Sequence, residues 1–168
     1  MLWGQLNNGS PDPPVGGEEM SSYMINILTE GMRIPTTGSW GDCSFYTWSD
    51  YCENSGGPYL YVNRNTNMPS ELSEEGHHTN PPQNQLIMNE EYKRMLAYLF
   101  YWSILEYHEI DRPFVGQMGG EVVDLETEMP INGATILLGG QSYTTDTFES
   151  LFHNYSSDEN ELRNGFFW

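Results

Sequence analysis

The chain has 168 residues, 38% apolar and 14% aromatic, enough for one ordinary domain or a domain with a small module. Its 24 acidic against 6 basic residues, a formal net charge of −18 at pH 7, argue against nucleic acid and anionic membrane surfaces, both of which need Lys and Arg against phosphate. No apolar run approaches the ~20 residues of a membrane span.

Residues 7–17 are turn formers and prolines and read as a loop. From Gly17 to about Arg33, Met20, Tyr23, Met24, Ile27, Leu28 and Met32 recur at steps of three and four, which predicts a helix with one apolar stripe. Residues 35–58, PTTGSWGDCSFYTWSDYCENSGGP, form a long irregular region, aromatic and rich in glycine. Loops of that length inside a domain are functional or tied down. The two cysteines of the chain, Cys43 and Cys52, both lie in it. A local disulfide is the first reading and implies an oxidising compartment; two free thiols are the alternative.

Tyr59–Asn63, YLYVN, reads as a strand on aromatic and β-branched content. Asn89 reads as the N-cap of a long helix with Glu90 and Glu91 in its first turn. Its predicted buried face is Tyr92, Met95, Leu96, Leu99, Phe100, Ser103 and Ile104, and Asp111-Arg112-Pro113 stops it. Short strands follow at Gly120–Asp124, Ala134–Leu138 and Ser142–Thr145, with Gly139-Gly140 as a hairpin turn. This places a first domain at 1–112, a linker at 113–118 and a β-rich module at 119–168.

The chemistry concentrates in MPSELSEEGHHTNP, Met68–Pro81. Glu74, His77 and His78 would share a face only on a helix, and Pro69 and the closing Thr-Asn-Pro argue against one. A zinc site from these three alone is therefore disfavoured, and the histidines read as exposed or loop-packing residues. On a strand, Leu72, Glu74 and Gly76 face one way and Glu71, Ser73 and Glu75 the other. A carboxylate at a strand's C-terminal end before a glycine turn is where α/β folds keep reacting groups.

Over roughly residues 17–110, three blocks resemble the C-terminal part of the zinc-dependent N-acetylmuramoyl-L-alanine amidase family of cell-wall hydrolases. They are Val62-Asn63-Arg64, the run Met68-Pro69, Leu72, Glu74, Gly76, Thr79 and Asn80, and Glu91-Tyr92-Lys93-Arg94 with Leu96-Ala97. The resemblance implies an α/β fold, the C-terminal part of a three-layer amidase domain. It puts Glu74 on the family's catalytic glutamate, the general base and acid that works with a zinc-bound water on the amide between N-acetylmuramic acid and L-alanine. Arg64 is a substrate-cleft candidate on position. His77 stands where the family has an aromatic residue.

No histidine precedes His77, so none of the family's zinc ligands falls in this chain. The metal is expected from a missing N-terminal half of the same protein, and the lack of a secretory signal in the first residues fits a start inside a longer protein.

Gly120-Glu121-Val122-Val123-Asp124, the block from Pro130 to Ile136, Thr144-Thr145-Asp146 and Gly165-Phe166-Phe167 resemble carboxypeptidase regulatory-like domains, which are transthyretin-like β-sandwiches. Phe148–Asn164 reads as an insertion, and the module as the beginning of such a sandwich. Two functions follow from these resemblances. One is a bacterial peptidoglycan hydrolase fragment, extracellular or periplasmic, that uses Glu74 and zinc held outside this chain. The other is a non-catalytic cell-envelope binding, structural or adhesive protein on a degenerate amidase fold.

Overall fold

The computed structural model describes residues 1–32, 34–35, 38–113, 118–128, 131, 133–145 and 166–167. They form a mixed α/β chain that groups into two compact units, Met1–Glu75 with Tyr98–Pro113, and Gly76–Ala97 with Phe114–Trp168.

In the first unit a short strand, β1 (Leu2–Trp3), lies between β2 (Trp40–Gly41), which runs parallel to it, and β3 (Glu71–Leu72), which runs antiparallel. Leu2 and Trp3 are buried. The predicted first helix is α1 (Gly17–Met32), with Gly17, Ser21, Met24, Leu28 and Met32 on its buried face. Glycine marks two close approaches of this helix. A Cβ on Gly17 would collide with the Ser70 carbonyl, and one on Gly31 with the buried Leu99 side chain.

The region expected to be irregular contains two short helices, α2 (Asp42–Phe45) and α3 (Tyr51–Ser55), joined by the Cys43–Cys52 disulfide. The strand expected over Tyr59–Asn63 is absent. Instead Tyr61–Arg64 form one helical turn, α4, with Leu60 as its N-cap. The reason is tertiary. Leu60 N and Asn63 Nδ2 both donate to Asp42 Oδ2, at 2.9 and 3.1 Å. Helical spacing puts residues three apart on one side, whereas a strand would turn them to opposite faces. The strand-favouring Tyr61 and Val62 point outward instead and are exposed.

The longest helix among the described residues is α6 (Glu90–Tyr107), which supplies residues to both units and is preceded by α5 (Pro81–Met88). Asn89 caps α6 as expected, its Oδ1 accepting from Tyr92 N at 2.8 Å. Tyr92, Met95, Leu99 and Ser103 are buried, but Ile104 is exposed and Leu105 is buried in its place. The helix end explains this. Ile110 N donates to Leu105 O and Glu109 N to Glu106 O, with Glu109 in the left-handed region at φ 55°. That paired bonding turns the chain back toward Leu105 before Pro113 is reached.

In the second unit β5 (Thr135–Leu138) and β6 (Gln141–Thr144) form the predicted hairpin. Gly139 and Gly140 have φ of 55° and 82°, the left-handed pair that a two-residue hairpin turn requires. β4 (Gly120–Glu121) pairs antiparallel with β7 (Phe166–Phe167). β4 is shorter than the expected Gly120–Asp124, because Asp124 Oδ1 accepts from the backbone of Glu126 and Thr127 and from the Thr127 hydroxyl, turning the chain. The insertion expected over Phe148–Asn164 and linker positions 114–117 lie outside the described residues.

Candidate functional site

The first unit is organised around a buried carboxylate. Asp42 is fully buried. Its Oδ1 accepts from Gln5 N at 3.1 Å, and its Oδ2 accepts from Leu60 N and Asn63 Nδ2. Gln5 extends the knot, its Oε1 accepting from the Ser44 backbone at 2.8 Å and the Ser44 hydroxyl at 2.7 Å. Asn63 Nδ2 also reaches Leu2 O at 3.3 Å. These bonds tie the segment after β1, the cysteine loop and α4 to one point. Burial, and then the Asp42 charge, hold the Asp12 carboxyl above its usual range.

Fixed by this knot and by the disulfide, the loop carries a cluster of rings. Tyr46 lies 4.3 Å from Tyr59, centroid to centroid, at 31° between planes, and Trp48 meets both edge-on at 5.8 Å. Tyr51 meets Tyr59 edge-on at 6.1 Å. These separations are those of favourable aromatic pairs. Arg64 braces the cluster from α4: its guanidinium lies 4.6 Å from the Tyr51 ring and 5.4 Å from the Tyr61 ring, and Nη1 donates to Tyr59 O at 2.6 Å. Trp48 is 75% exposed.

Glu74 stands exposed beside this platform, with the Tyr46 hydroxyl 3.5 Å from its Oε1. Burial, and then the Glu74 charge, raise the Tyr46 phenol above its usual range. The structure thus brings Glu74 and Arg64 to one aromatic cluster in roles the residues alone did not disclose: Arg64 holds rings in place and Glu74 lies at a rim. The strand expected to carry Glu74 ends at Leu72.

His77 and His78 are exposed, and the His77 backbone is tied to Gln83 Oε1 at 2.9 Å. Among the described residues no three His, Cys, Asp or Glu are placed to hold a metal ion. The zinc that the amidase resemblance implies would take its ligands from outside this chain. Among the described residues no helix is long and apolar enough to cross a membrane. No protein-family model matches the chain, and neither the curated proteins nor the solved structures contain a match to it.

Two half-buried carboxyls, Glu71 and Glu75, flank Glu74 in the chain. Burial raises Glu71, against the lowering effect of the Ser73 hydroxyl. Burial, and then the Glu71 charge, raise Glu75, whose Oε1 is buried without a partner. A raised folded value means that the folded state binds the proton more tightly than the unfolded chain does. The contribution to stability is full below the ordinary glutamate value of 4.5 and is lost as pH rises through the raised value. Acidification from neutral pH toward 4.5 should therefore relieve this site. Glu75→Gln is expected to raise Tm at pH 7 by about 1–3 °C, with the gain vanishing on approach to 4.5. Thermal melts across that range check it, and a gain that grows on acidification would contradict it.

Proposed function

We propose that the chain is a non-catalytic glycan-binding component of the cell envelope, extracellular or periplasmic, that takes peptidoglycan through the aromatic platform. The observation that supports this reading is the Tyr46–Trp48–Tyr59 cluster, locked by the disulfide and turned to solvent at Trp48. A rigid indole face stacks on the apolar face of a sugar ring with little loss of side-chain entropy, which is why such rings dominate binding hot spots. The amidase-like pattern of residues 17–110 supplies the envelope context and the choice of peptidoglycan, and the β-module fits a spacer or attachment unit.

Co-sedimentation with purified sacculi and calorimetry with chitotetraose test it. Trp48→Ala is expected to lower affinity about tenfold or more, with the fold intact by circular dichroism. Unchanged affinity in that variant, or no binding by the wild type, would sink the proposal.

One observation favours the hydrolytic reading as a second: Glu74, which the resemblance puts on the family's catalytic glutamate, is exposed, with the Tyr46 hydroxyl of the ring cluster 3.5 Å from its Oε1. Under that reading the same sacculi release L-alanine amino groups in a chelator-sensitive manner, and Glu74→Gln abolishes the release. Release indifferent to both treatments would exclude it.

A further inference from the structure

The turn that follows β1 holds an asparagine side chain against its own backbone. Asn8, Gly9 and Ser10 are all exposed. Gly9 N donates to Leu6 O at 3.0 Å and Leu6 N to Ser10 O at 2.9 Å, closing a tight turn with Gly9 in the left-handed region at φ 87°. Asn8 Oδ1 accepts from Ser10 N at 3.0 Å and from the Ser10 hydroxyl at 2.7 Å. Bonds to the residue two positions on fold the side chain over the Asn8–Gly9 peptide. Among the described residues every side-chain hydrogen bond of Asn8 ends on Oδ1, so Nδ2 has no partner. A Cβ built on Gly9 would meet nothing within 4 Å, and glycine has no side chain of its own to shield its nitrogen.

We propose that Asn8 is a site of self-modification, converting to aspartate and isoaspartate through a cyclic imide with Gly9, and that the two Ser10 donors promote the reaction. The proposal is independent of glycan binding. The bond from Gly9 N to Leu6 O opens and water takes the Gly9 amide proton. The nitrogen then attacks Asn8 Cγ, and the carbonyl electron pair moves onto Oδ1. That oxygen is the one already held by two donors, at the distances that stabilise an oxyanion. The Cγ–Nδ2 bond breaks as the pair returns, and Nδ2 leaves as ammonia with a proton from water. Water then adds to either imide carbonyl and opens the ring. Net, one water is consumed and one ammonia released. Either product adds a negative charge, and isoaspartate lengthens the backbone by one methylene. The change falls beside the bridged loop, because Asn7 N donates to Gly56 O, at the C-cap of α3, at 3.0 Å.

The test incubates the folded, oxidised protein in water labelled with heavy oxygen and locates the label by peptide mapping and mass spectrometry. Mapping separates Asn8 from the chain's other Asn-Gly pairs, Asn132-Gly133 and Asn164-Gly165. Asn8 is expected to convert at least as fast in the folded protein as in a synthetic peptide of residues 5–12. Ser10→Ala removes one donor from Oδ1 and is expected to slow conversion in the folded protein about two- to fivefold. Ser10→Thr keeps the hydroxyl and should retain the rate. A hydroxyl that only holds the turn shut predicts the opposite sign, since its loss would speed the reaction. Conversion slower in the folded protein than in the peptide would show that the turn protects Asn8 and would overturn the proposal. A rate that is unchanged or raised by Ser10→Ala, or label confined to Asn132 and Asn164, would overturn it as well.

Discussion

Asp42→Ala is expected to destabilise the protein by about 3–5 kcal/mol, the largest single effect in the first unit. The carboxylate is fully buried and receives donors from Gln5, Leu60 and Asn63. Removing it leaves two backbone N–H groups and one amide N–H facing a cavity without an acceptor. Each buried donor left unsatisfied costs about 1–3 kcal/mol, so the loss approaches the sum of several such penalties. Asp42→Asn is not a mild alternative. One end of the new side chain would present N–H groups to donors, so at best part of the network survives. The coupling to Asn63 gives a sharper test. Asn63→Leu removes one donor, so the double variant Asp42→Ala with Asn63→Leu should cost less than the two single changes added together. Urea unfolding of the four proteins measures this. A loss below about 1 kcal/mol for Asp42→Ala, or strict additivity, would mean that the knot does not hold the loop.

The same knot explains what the residues alone conveyed and what they did not. The stripe of α1, the Asn89 cap of α6 and the Gly139-Gly140 turn are local signals. Each depends on spacing or on a backbone preference within a few residues, and each has its structural counterpart. α4 is different. Tyr61 and Val62 have strand character, but the conformation is decided by Asp42, nearly twenty positions earlier, which needs Leu60 and Asn63 on one side. No local window contains that demand. α5 too carries a local signal: Asn80 caps it, with Asn80 Oδ1 accepting from Gln83 N at 3.4 Å, and Pro81 takes the first helical position. At the candidate site the aromatic richness of residues 35–58 was visible, and so was the cysteine pair. Which rings touch was not, because Tyr59 comes from beyond the bridge and Arg64 from a helix that local preference did not predict. Glu74 drew attention as a reacting group on a strand. Its observed distinction is its place beside Tyr46.

Loss of the Cys43–Cys52 bridge is expected to cost about 2.5 kcal/mol and to weaken glycan binding more than the loss of stability alone would. A bridge with a sequence separation of 9 closes a short loop, and chain-entropy reasoning for a loop of that size gives a stabilisation of this order. The consequence for binding is separate. Tyr46 and Trp48 lie inside the bridged loop, while Tyr59, against which both pack, lies outside it. An unbridged loop must order itself before those rings can pack against one another, and the ligand then bears that ordering cost. Each 1.4 kcal/mol so diverted lowers affinity about tenfold. The experiment compares the oxidised protein, the reduced protein and a variant with Ser at both positions, reading stability by urea unfolding and affinity by chitotetraose titration. The reduced protein and the variant should agree, and only the oxidised protein should respond to reductant. If affinity is unchanged without the bridge, the Asp42 and Gln5 hydrogen bonds alone hold the loop. The platform would then be as available in a reducing compartment as in an oxidising one, and the bridge would no longer connect the site to the envelope.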